Sequence, residues 1–554
     1  MLPLTTKVHL ALLCLGGAAS AQSAGRPAGT FYGGNDLAVN FDSEAVSRNF
    51  EDVDIQLLSP AFTSPDTIPS GFSNGTSGPT PDHEMDHFIR SIAFRNDWIT
   101  YHGAELQSEQ GRAIPYLFLT QPSHAAAGGN STANTTSKSD KLRVYFQGAI
   151  HGNEPAADQG IMALLGKMDA NATWTAKLLE KLDIMILPRY NPDGVSYFQR
   201  EFGSNIDPNR EGTKLVKQQS RDIRTLVSSF DPHVVADMHE FGGASVYGGV
   251  YRHGTDAMIA GAKNLNIHPD IRELTERTFS DGVSDYLIAN DIRIEPYVTG
   301  STSRVEGSPI TFEEASAAPT TGRNAMGLSQ AVVILCELRG IALADQHFQR
   351  RTVSSLLMLE SILNIAHDNA HQVRETIETA VQDFIDGDAE IVITDSQPSE
   401  NRTFTMVDIR NGSLVQAPIE FLSSTPALAN FTRPKPEAYL IPKDWETVVD
   451  RLRVMGVELE ELKEEYHGTV QAYNITTSEL DGEYYEGTVL NTVTTSFYET
   501  EVALPAGSWR VSTRQKNAAQ AFVTLEPESQ VSYVSFGIIP VSAGWEYPIF
   551  REMA

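Results

Sequence analysis

The segment RVYFQGAIHGNEP, residues 143–155, decides the fold. Its apolar first half, Arg143–Ile150, predicts a buried β-strand, and apolar residues that recur on one helical face predict a helix over Ala156–Met168. His151 and Glu154 lie in the loop between these two elements. Open α/β sheets bind their ligands beyond the carboxyl ends of the strands. This loop is therefore a candidate functional site.

The same alternation of short apolar strands and amphipathic helices continues from about residue 85 to residue 370. It predicts an α/β fold with a mixed, largely parallel central sheet and helices on both faces, followed by a smaller, mostly β domain. The other predicted strands are Ala113–Leu119, Asp183–Leu187, His233–Met238 and Ala331–Cys336. A long helical stretch over roughly Arg351–Ala380 and one short helix over Trp445–Met455 are also predicted.

Composition divides the chain into four predicted parts. Residues 1–21 combine an apolar run with a small-residue cleavage site, which predicts a secretory signal peptide. Residues 22–84 are rich in Ser, Pro and Gly and predict an irregular leader that is a candidate propeptide. Residues 85–380 form the predicted α/β domain. Residues 385–554, where Thr, Val, Tyr and Ser are frequent, form the predicted β domain.

Charge and hydropathy exclude several classes of partner. With 42 Lys and Arg against 71 Asp and Glu, the net charge of −29 argues against binding to nucleic acid or to anionic membranes. No later stretch reaches the roughly 18 unbroken apolar residues of a membrane span. We therefore expect a secreted, extracellular protein, and the sequence leaves its oligomeric state open.

Glycosylation acceptors agree with a secretory route. Eight Asn-x-Ser/Thr sequons occur, at Asn74, Asn130, Asn134, Asn171, Asn401, Asn411, Asn430 and Asn474. Of the two cysteines, Cys14 would leave with the signal peptide, so Cys336 would have no partner for an intrachain disulfide. We expect Cys336 to be a buried packing residue, because it lies in an apolar strand.

Three predicted strands bring imidazole and carboxylate groups to one edge of the sheet. His151 and Glu154 follow the first strand, His239 follows the second, and Glu337 follows the third. Two His and one carboxylate with an open coordination position are a usual catalytic zinc set, and the remaining Glu can act as a general base. A single His-x-x-Glu is common by chance, and a buried His is more often a core residue. The combination of all four residues at the ends of three strands therefore predicts a site for one zinc ion.

Further polar motifs lie between these strands. They are Asn191-Pro192-Asp193-Gly194, Arg200, and Asp207-Pro208-Asn209-Arg210. In order and in residue type, these motifs together with the three strand ends resemble the zinc metallocarboxypeptidases of the carboxypeptidase A type, over about residues 85–370. Thr321-Gly322-Arg323-Asn324 resembles the branch of that family in which an accessory β domain follows the catalytic domain.

The resemblance implies roles for the residues at matching positions. His151, Glu154 and His239 would hold the zinc ion. Glu337 would be the general base, and residues 85–380 would be the catalytic domain of a zinc peptidase.

Four further residues receive implied roles in binding and orientation. Arg200 would polarise the scissile carbonyl group, and Asn209 with Arg210 would hold the terminal carboxylate of the substrate. A planar guanidinium is a natural bidentate receptor for a carboxylate. Asp207 would orient a zinc-binding imidazole from behind.

The predicted function is that of a secreted zinc metallocarboxypeptidase, which hydrolyses C-terminal bonds of peptides or proteins with free C-termini. A zinc amidohydrolase that acts on N-acyl amino acids or other small amides is the alternative, because Asn209 and Arg210 would suit both. An inactive binding glycoprotein would lack a ligand or the base, and all four residues are present. An insertion around Asp256–Ser308 is expected to border the cleft. Tyr297 is available in this insertion, but the residues around it match no motif for a tyrosine that closes over a substrate.

Overall fold

The computed structural model describes residues 38–103, 105–121 and 140–554. The predicted signal peptide and the sequons at Asn130 and Asn134 lie outside the described residues. The strands are β1 Ile99–His102, β2 Tyr116–Leu119, β3 Leu142–Gln147, β4 Leu182–Leu187, β5 Val234–Gly242, β6 Tyr251–His253, β7 Ala257–Gly261, β8 Ile294–Pro296, β9 Val298–Thr299, β10 Thr311–Glu314, β11 Val332–Ile341, β12 Ile391–Ser396, β13 Ser399–Asp408, β14 Leu414–Leu422, β15 Leu428–Arg433, β16 Ala438–Ile441, β17 Glu460–Glu461, β18 Tyr466–Tyr485, β19 Thr488–Leu504, β20 Trp509–Ser512 and β21 Phe550–Glu552.

Helices connect and follow these strands. The α-helices are α1 Glu44–Ser47, α2 Pro60–Thr63, α3 Asp82–Arg95, α4 Pro155–Ala170, α5 Ala172–Lys181, α6 Pro192–Tyr197, α7 Gln218–Phe230, α8 Pro269–Glu273, α9 Asp281–Ile288, α10 Gly322–Gly327, α11 Phe348–Asp368, α12 Ala370–Asp386, α13 Glu446–Val454 and α14 Ala518–Leu525. A π-helix spans Leu274–Ser280, and short 3₁₀ turns include Pro208–Arg210.

An eight-stranded sheet with the order β1-β2-β4-β3-β5-β11-β7-β8 forms the centre of the α/β unit. Its four middle strands, β4, β3, β5 and β11, run parallel, whereas β2 and β7 pair antiparallel on either side. The predicted mixed, largely parallel sheet is confirmed, and each predicted strand of the α/β unit is present in it.

Helices cover both faces of this sheet. The chain passes from β3 to β4 in one direction along the sheet, and from β4 past β3 to β5 in the other. Right-handed crossovers place α4 and α5 on one face and α7 on the opposite face. Helix α11 packs against α4, whereas α10 joins α7, where Arg224 donates a hydrogen bond to the carbonyl oxygen of Ala325. Burial on both faces explains why the middle strands are continuously apolar.

Several predicted elements differ from the structure in their extent. β5 and β11 continue to Gly242 and Ile341, past the predicted ends at Met238 and Cys336, so His239 and Glu337 lie within strands. The strand predicted over Arg143–Ile150 ends at Gln147, because the chain turns away there and Ala149 has a positive φ of 48°. The helical stretch predicted over about Arg351–Ala380 is confirmed, and it consists of two helices, α11 and α12, which meet at Asn369. The Asn369 side chain donates to the carbonyl oxygen of Ile365, a local bond that favours a helix end.

The described part of the predicted leader belongs to the folded core. Leu57, Ala61 and Phe72 are members of the main hydrophobic cluster. Asp42 is buried and accepts a hydrogen bond of 2.7 Å from Arg339 on β11. Burial raises the pKa of Asp42, but Arg339 and its neighbours lower it more, so this carboxylate stays ionised. Contacts with the core therefore fix this segment, although its backbone is mostly irregular.

The strands of the predicted C-terminal domain belong to three sheets. β13 and β14 join strands from the predicted insertion and its flanks in the order β6-β13-β14-β10-β9. β12 pairs with β15, and the remaining strands form a six-stranded sheet in the order β17-β20-β16-β21-β18-β19. Residues 399–422 are thus joined to the α/β unit by β-pairing, and the domain boundary near residue 385 stays a prediction.

Candidate active site

The three predicted metal ligands meet at the carboxyl end of the central strands. His151 and Glu154 lie in the loop between β3 and α4, and His239 lies on β5. One potential ligand atom from each of them lies within 4.8 Å of the others, and all three residues are buried. The Nδ1 atoms of the two imidazoles are 3.1 Å apart. Oxygens of Glu154 lie 2.7 Å from Nδ1 of His151 and 3.0 Å from Nδ1 of His239.

A carboxylate lies behind each imidazole. Nε2 of His151 is 3.2 Å from Oδ1 of Asp207, and Nε2 of His239 is 3.2 Å from Oδ1 of Asp237. A carboxylate that accepts the Nε2 proton leaves the Nδ1 lone pair free for a metal. Two free imidazole nitrogens and one carboxylate match the donor set of catalytic zinc. The residues present therefore fit one zinc ion.

Asp237 is a candidate site residue that the sequence motifs did not indicate. It lies two residues before His239 on β5, and residues two apart on a strand face the same side of the sheet. Burial lowers the pKa of His239, but Asp237 and Glu154 raise it more, so it lies well above its usual value. Gln147 on the neighbouring β3 donates to Oδ1 of Asp237 at 2.8 Å and helps to hold this carboxylate in place.

Glu154 is an anion that its surroundings stabilise. Burial raises the pKa of its carboxyl group, but His151 and His239 lower it more, so the group stays ionised. The backbone N–H of Glu240 also donates to Oε2 of Glu154 at 2.9 Å. The carboxylate is thus held in the charged form that a metal ligand needs.

Glu337 lies beside the metal ligands on the adjacent strand. In the parallel pairing of β11 with β5, Glu337 is the direct partner of His239. Its carboxyl group is buried, and within the described residues its Oε2 atom has no hydrogen-bond partner. Burial, opposed by His239, raises the pKa of Glu337 to about 8. A carboxylate that is buried yet unpaired next to a metal site is suited to proton transfer.

The Asn-Pro-Asp-Gly motif supports the loop that contains the first two ligands. A Cβ atom on Gly152 would lie 1.9 Å from the carbonyl carbon of Gly194, so the two backbones approach too closely for a side chain. The Asn191 side chain accepts from the N–H of Gly194 at 2.9 Å and donates to the carbonyl oxygen of Glu201. This motif is therefore a scaffold that joins the ligand loop to the segment around Arg200.

Arg200 lies at the metal site and is paired with Asp207. Its Nε and Nη2 atoms donate to Oδ2 of Asp207 at 3.0 and 2.8 Å, and its Nη1 atom is 3.5 Å from Glu154. Burial raises the pKa of Asp207, but Arg200, Arg210 and His151 lower it more, well below its usual range. The structure thus brings Arg200 and Asp207 together with the three predicted ligands.

Asn209 and Arg210 lie on the 3₁₀ turn next to this cluster. Oδ1 of Asn209 accepts from the N–H of Gly322, at the start of α10, at 2.8 Å. Nη1 of Arg210 donates to the carbonyl oxygen of Asn209 at 3.0 Å and lies 3.8 Å from Asp207. The Arg210 side chain is 16% exposed, which leaves it reachable from solvent.

Tyr297 brings the predicted insertion to the site. It lies between β8 and β9, and its backbone N–H donates to the carbonyl oxygen of Ile259. Burial and the nearby charge of Glu337 raise the pKa of its phenol well above the usual value, while Arg200 and Arg210 act in the opposite direction. Tyr297 therefore lies within the electrostatic reach of the site, and the border between the insertion and a substrate cleft stays a prediction.

The surface features agree with the remaining sequence predictions where the structure describes them. The described sequon asparagines are all exposed, and they are Asn74, Asn171, Asn401, Asn411, Asn430 and Asn474. Cys336 is buried, and burial raises the pKa of its thiol well above the usual value, as expected of a packing residue. Among the described residues, no helix has the length and apolar character required to cross a membrane.

Comparison with known proteins places this geometry in a family. The family model for zinc carboxypeptidases matches residues 88–230. Carboxypeptidase 2 of Trichophyton equinum is 48% identical over 523 residues, which cover 94% of this chain and 95% of that protein. Carboxypeptidase 2 of Trichophyton rubrum is 48% identical with the same coverage.

Solved structures include similar chains at lower identity. The metallo-carboxypeptidase from Burkholderia cenocepacia is 14% identical, with a TM-score of 0.38 over 52% of this chain and 69% of that chain. The identification does not depend on this likeness, because near-complete alignment at 48% identity with named carboxypeptidases is sufficient. This chain belongs to the zinc carboxypeptidase family, and it is a metallocarboxypeptidase whose cofactor is zinc.

Proposed function

We propose that this protein is a secreted exopeptidase that removes C-terminal residues from peptides, with Glu337 as the general base. The observation that supports this proposal best is the buried carboxylate of Glu337, whose Oε2 atom has no hydrogen-bond partner among the described residues, beside a His-Glu-His donor set. Exposed sequons support the secretory part of the proposal, since glycosylation needs accessible asparagines.

His151, Glu154 and His239 would hold the metal. When bound there, zinc activates a water molecule and polarises the substrate carbonyl group. Asp207 and Asp237 keep the Nε2 protons of the two imidazoles in place, so that both Nδ1 atoms face the metal.

The remaining residues bind the substrate and move the proton. Glu337 accepts the proton of the attacking water and passes it to the departing amine, which general acid–base catalysis requires. Arg200 supplies a fixed positive charge near the carbonyl oxygen as negative charge develops there. Arg210 binds the free carboxylate of the substrate, which separates an exopeptidase from a general amidase.

A panel of small substrates tests this function. We expect hydrolysis of N-blocked dipeptides with a free C-terminus, and much slower hydrolysis of the same dipeptides with an amidated C-terminus. The enzyme should lose activity on chelation and recover it with zinc. Faster hydrolysis of N-acetyl amino acids than of blocked dipeptides would contradict the proposal and favour a small-amide hydrolase.

His239→Ala is expected to lower both zinc content and activity. The change leaves only two ligands, His151 and Glu154, which are too few to hold the ion firmly. Metal content measured on the purified protein by mass spectrometry, beside the wild type, checks the result. Full zinc occupancy in the variant would remove His239 from the ligand set.

A further inference from the structure

A long hairpin of the C-terminal region reaches the active site. Strands β18 and β19 pair along their length, and Tyr485 pairs with Thr488, so the turn consists of Glu486 and Gly487 alone. Both turn residues have positive φ, 43° for Glu486 and 92° for Gly487. This conformation matches the two-residue turns that suit the twist of paired strands.

The tip is fixed to the loop that contains Asp207 and Arg210. The backbone N–H of Asp207 donates to Oε2 of Glu486 at 2.8 Å. Nζ of Lys214 donates to the carbonyl oxygen of Glu486 at 2.6 Å, and Lys214 is itself buried. A Cβ atom on Gly487 would lie 3.3 Å from Cδ1 of Ile206, so the backbone packs closely there.

Tyr485, next to Glu486 in the hairpin, lies near the proposed carboxylate receptor Arg210. Its phenol lies close enough to Arg210 for the guanidinium charge to oppose the rise in its pKa that burial causes, and its ring packs against the main core. The preceding residue, Tyr484, faces the opposite side of the strand and is 74% exposed. Two adjacent tyrosines on one strand therefore have opposite surroundings.

We propose that Tyr485 and Glu486 are positioning residues that complete the substrate-carboxylate site from the C-terminal region. The inference rests on the proposed exopeptidase function. Glu486 holds the backbone of the Asp207 loop, and Tyr485 holds the guanidinium of Arg210. The hairpin is thereby a part of the substrate site, in addition to any packing role.

Preorganisation is the physical reason for this device. A free arginine side chain loses several rotamers when it binds a carboxylate, and a partner that already holds it reduces this loss. A phenol that accepts from a guanidinium keeps its own O–H as a donor, which suits a second bond to the substrate carboxylate. Asp207 competes for the same guanidinium at 3.8 Å, so a neighbouring phenol also keeps Arg210 from turning fully toward Asp207.

Tyr485→Phe tests the inference, with Tyr484→Phe as the matched control. For a blocked dipeptide with a free C-terminus, Tyr485→Phe should raise KM on the order of 10-fold and change kcat by less than about threefold. For the amidated dipeptide, the same change should have little effect on kcat/KM. Tyr484→Phe should behave as the wild type with both substrates. Zinc content and melting temperature are measured for each variant.

Glu486→Ala and Glu486→Gln give a second, independent test. The alanine variant removes the acceptor for the N–H of Asp207 and should also raise KM for the free-carboxylate substrate. The glutamine variant keeps an acceptor oxygen and should restore a KM near that of the wild type. If Tyr485→Phe loses zinc or does not fold, the two Glu486 variants still test whether the hairpin positions the substrate-carboxylate site.

Two outcomes would overturn the inference. One is an unchanged KM in both Tyr485→Phe and Glu486→Ala, and the other is an equal loss on free and amidated substrates. Failure of the proposed function would look different, because the wild type would then show no preference for a free C-terminus. A wild type with that preference, together with silent hairpin variants, would contradict this inference alone.

Discussion

Glu337→Gln is expected to lower kcat by roughly 10²–10⁴-fold while zinc stays bound. The amide preserves the shape of the side chain but cannot accept a proton from water. The metal ligands are unchanged, and the Glu337 position on β11 beside His239 is fixed by strand pairing. Turnover measured together with zinc content separates loss of the base from loss of the metal.

Near-normal turnover with zinc present would mean that another carboxylate is the base. Glu240 is the nearest alternative in sequence, but the structure gives it another partner. Its two oxygens accept hydrogen bonds of 2.8 and 2.9 Å from Nη2 of Arg351 on α11. Successive strand residues point to opposite faces, so Glu240 is directed away from the side that His239 faces. Because Glu240 is paired with Arg351 and directed away from His239, Glu337 is the stronger candidate for the general base.

Much of the site could be predicted because its residues follow a strand, as His151 does, or lie in the carboxyl-terminal half of one, as His239 and Glu337 do. Parallel strands end at one edge, so residues far apart in sequence, such as His151, His239 and Glu337, become neighbours there. The carboxylate behind His239 could also have been found, since Asp237 is two residues away on an apolar strand. The two-residue spacing of Asp237 and His239 was therefore sufficient to predict that both side chains lie on one side of the sheet.

The hairpin contacts could not be predicted in the same way. Asp207 and Glu486 are 279 residues apart, and the bond between them depends on how the C-terminal region docks. The Glu486-Gly487 pair indicates a turn, but a turn signal does not identify the loop that the turn meets.

The sequence also could not predict which sheet each β-strand after residue 385 would join. Alternating segments after residue 385 predict strands, but hydrophobic patterning does not select their sheet partners. Strands β13 and β14 pair with β6 and β10 from the α/β unit, whereas β18 and β19 pair with each other. Composition alone therefore could not reveal that residues 399–422 are joined to the α/β unit.

Arg210→Ala is expected to lower kcat/KM on the order of 10²-fold or more for substrates with a free C-terminus. Loss of one partner from a charge-assisted pair in a partly dry site removes a few kcal/mol. Arg210→Lys is the matched control, because it keeps the charge without the planar fork, and it should give an intermediate loss. Steady-state kinetics with a blocked dipeptide provide the measurement.

Amidation of the substrate C-terminus should remove the other partner of the same contact, the carboxylate that Arg210 binds. Each single change, Arg210→Ala or amidation, removes the guanidinium–carboxylate pair, so combining them should reduce kcat/KM little further than either alone. Independent, additive losses would mean that the substrate carboxylate binds elsewhere. If the wild type cut amidated or internal bonds as fast as free C-termini, Arg210 would have no carboxylate to bind, and a broader amide hydrolase would fit the site better.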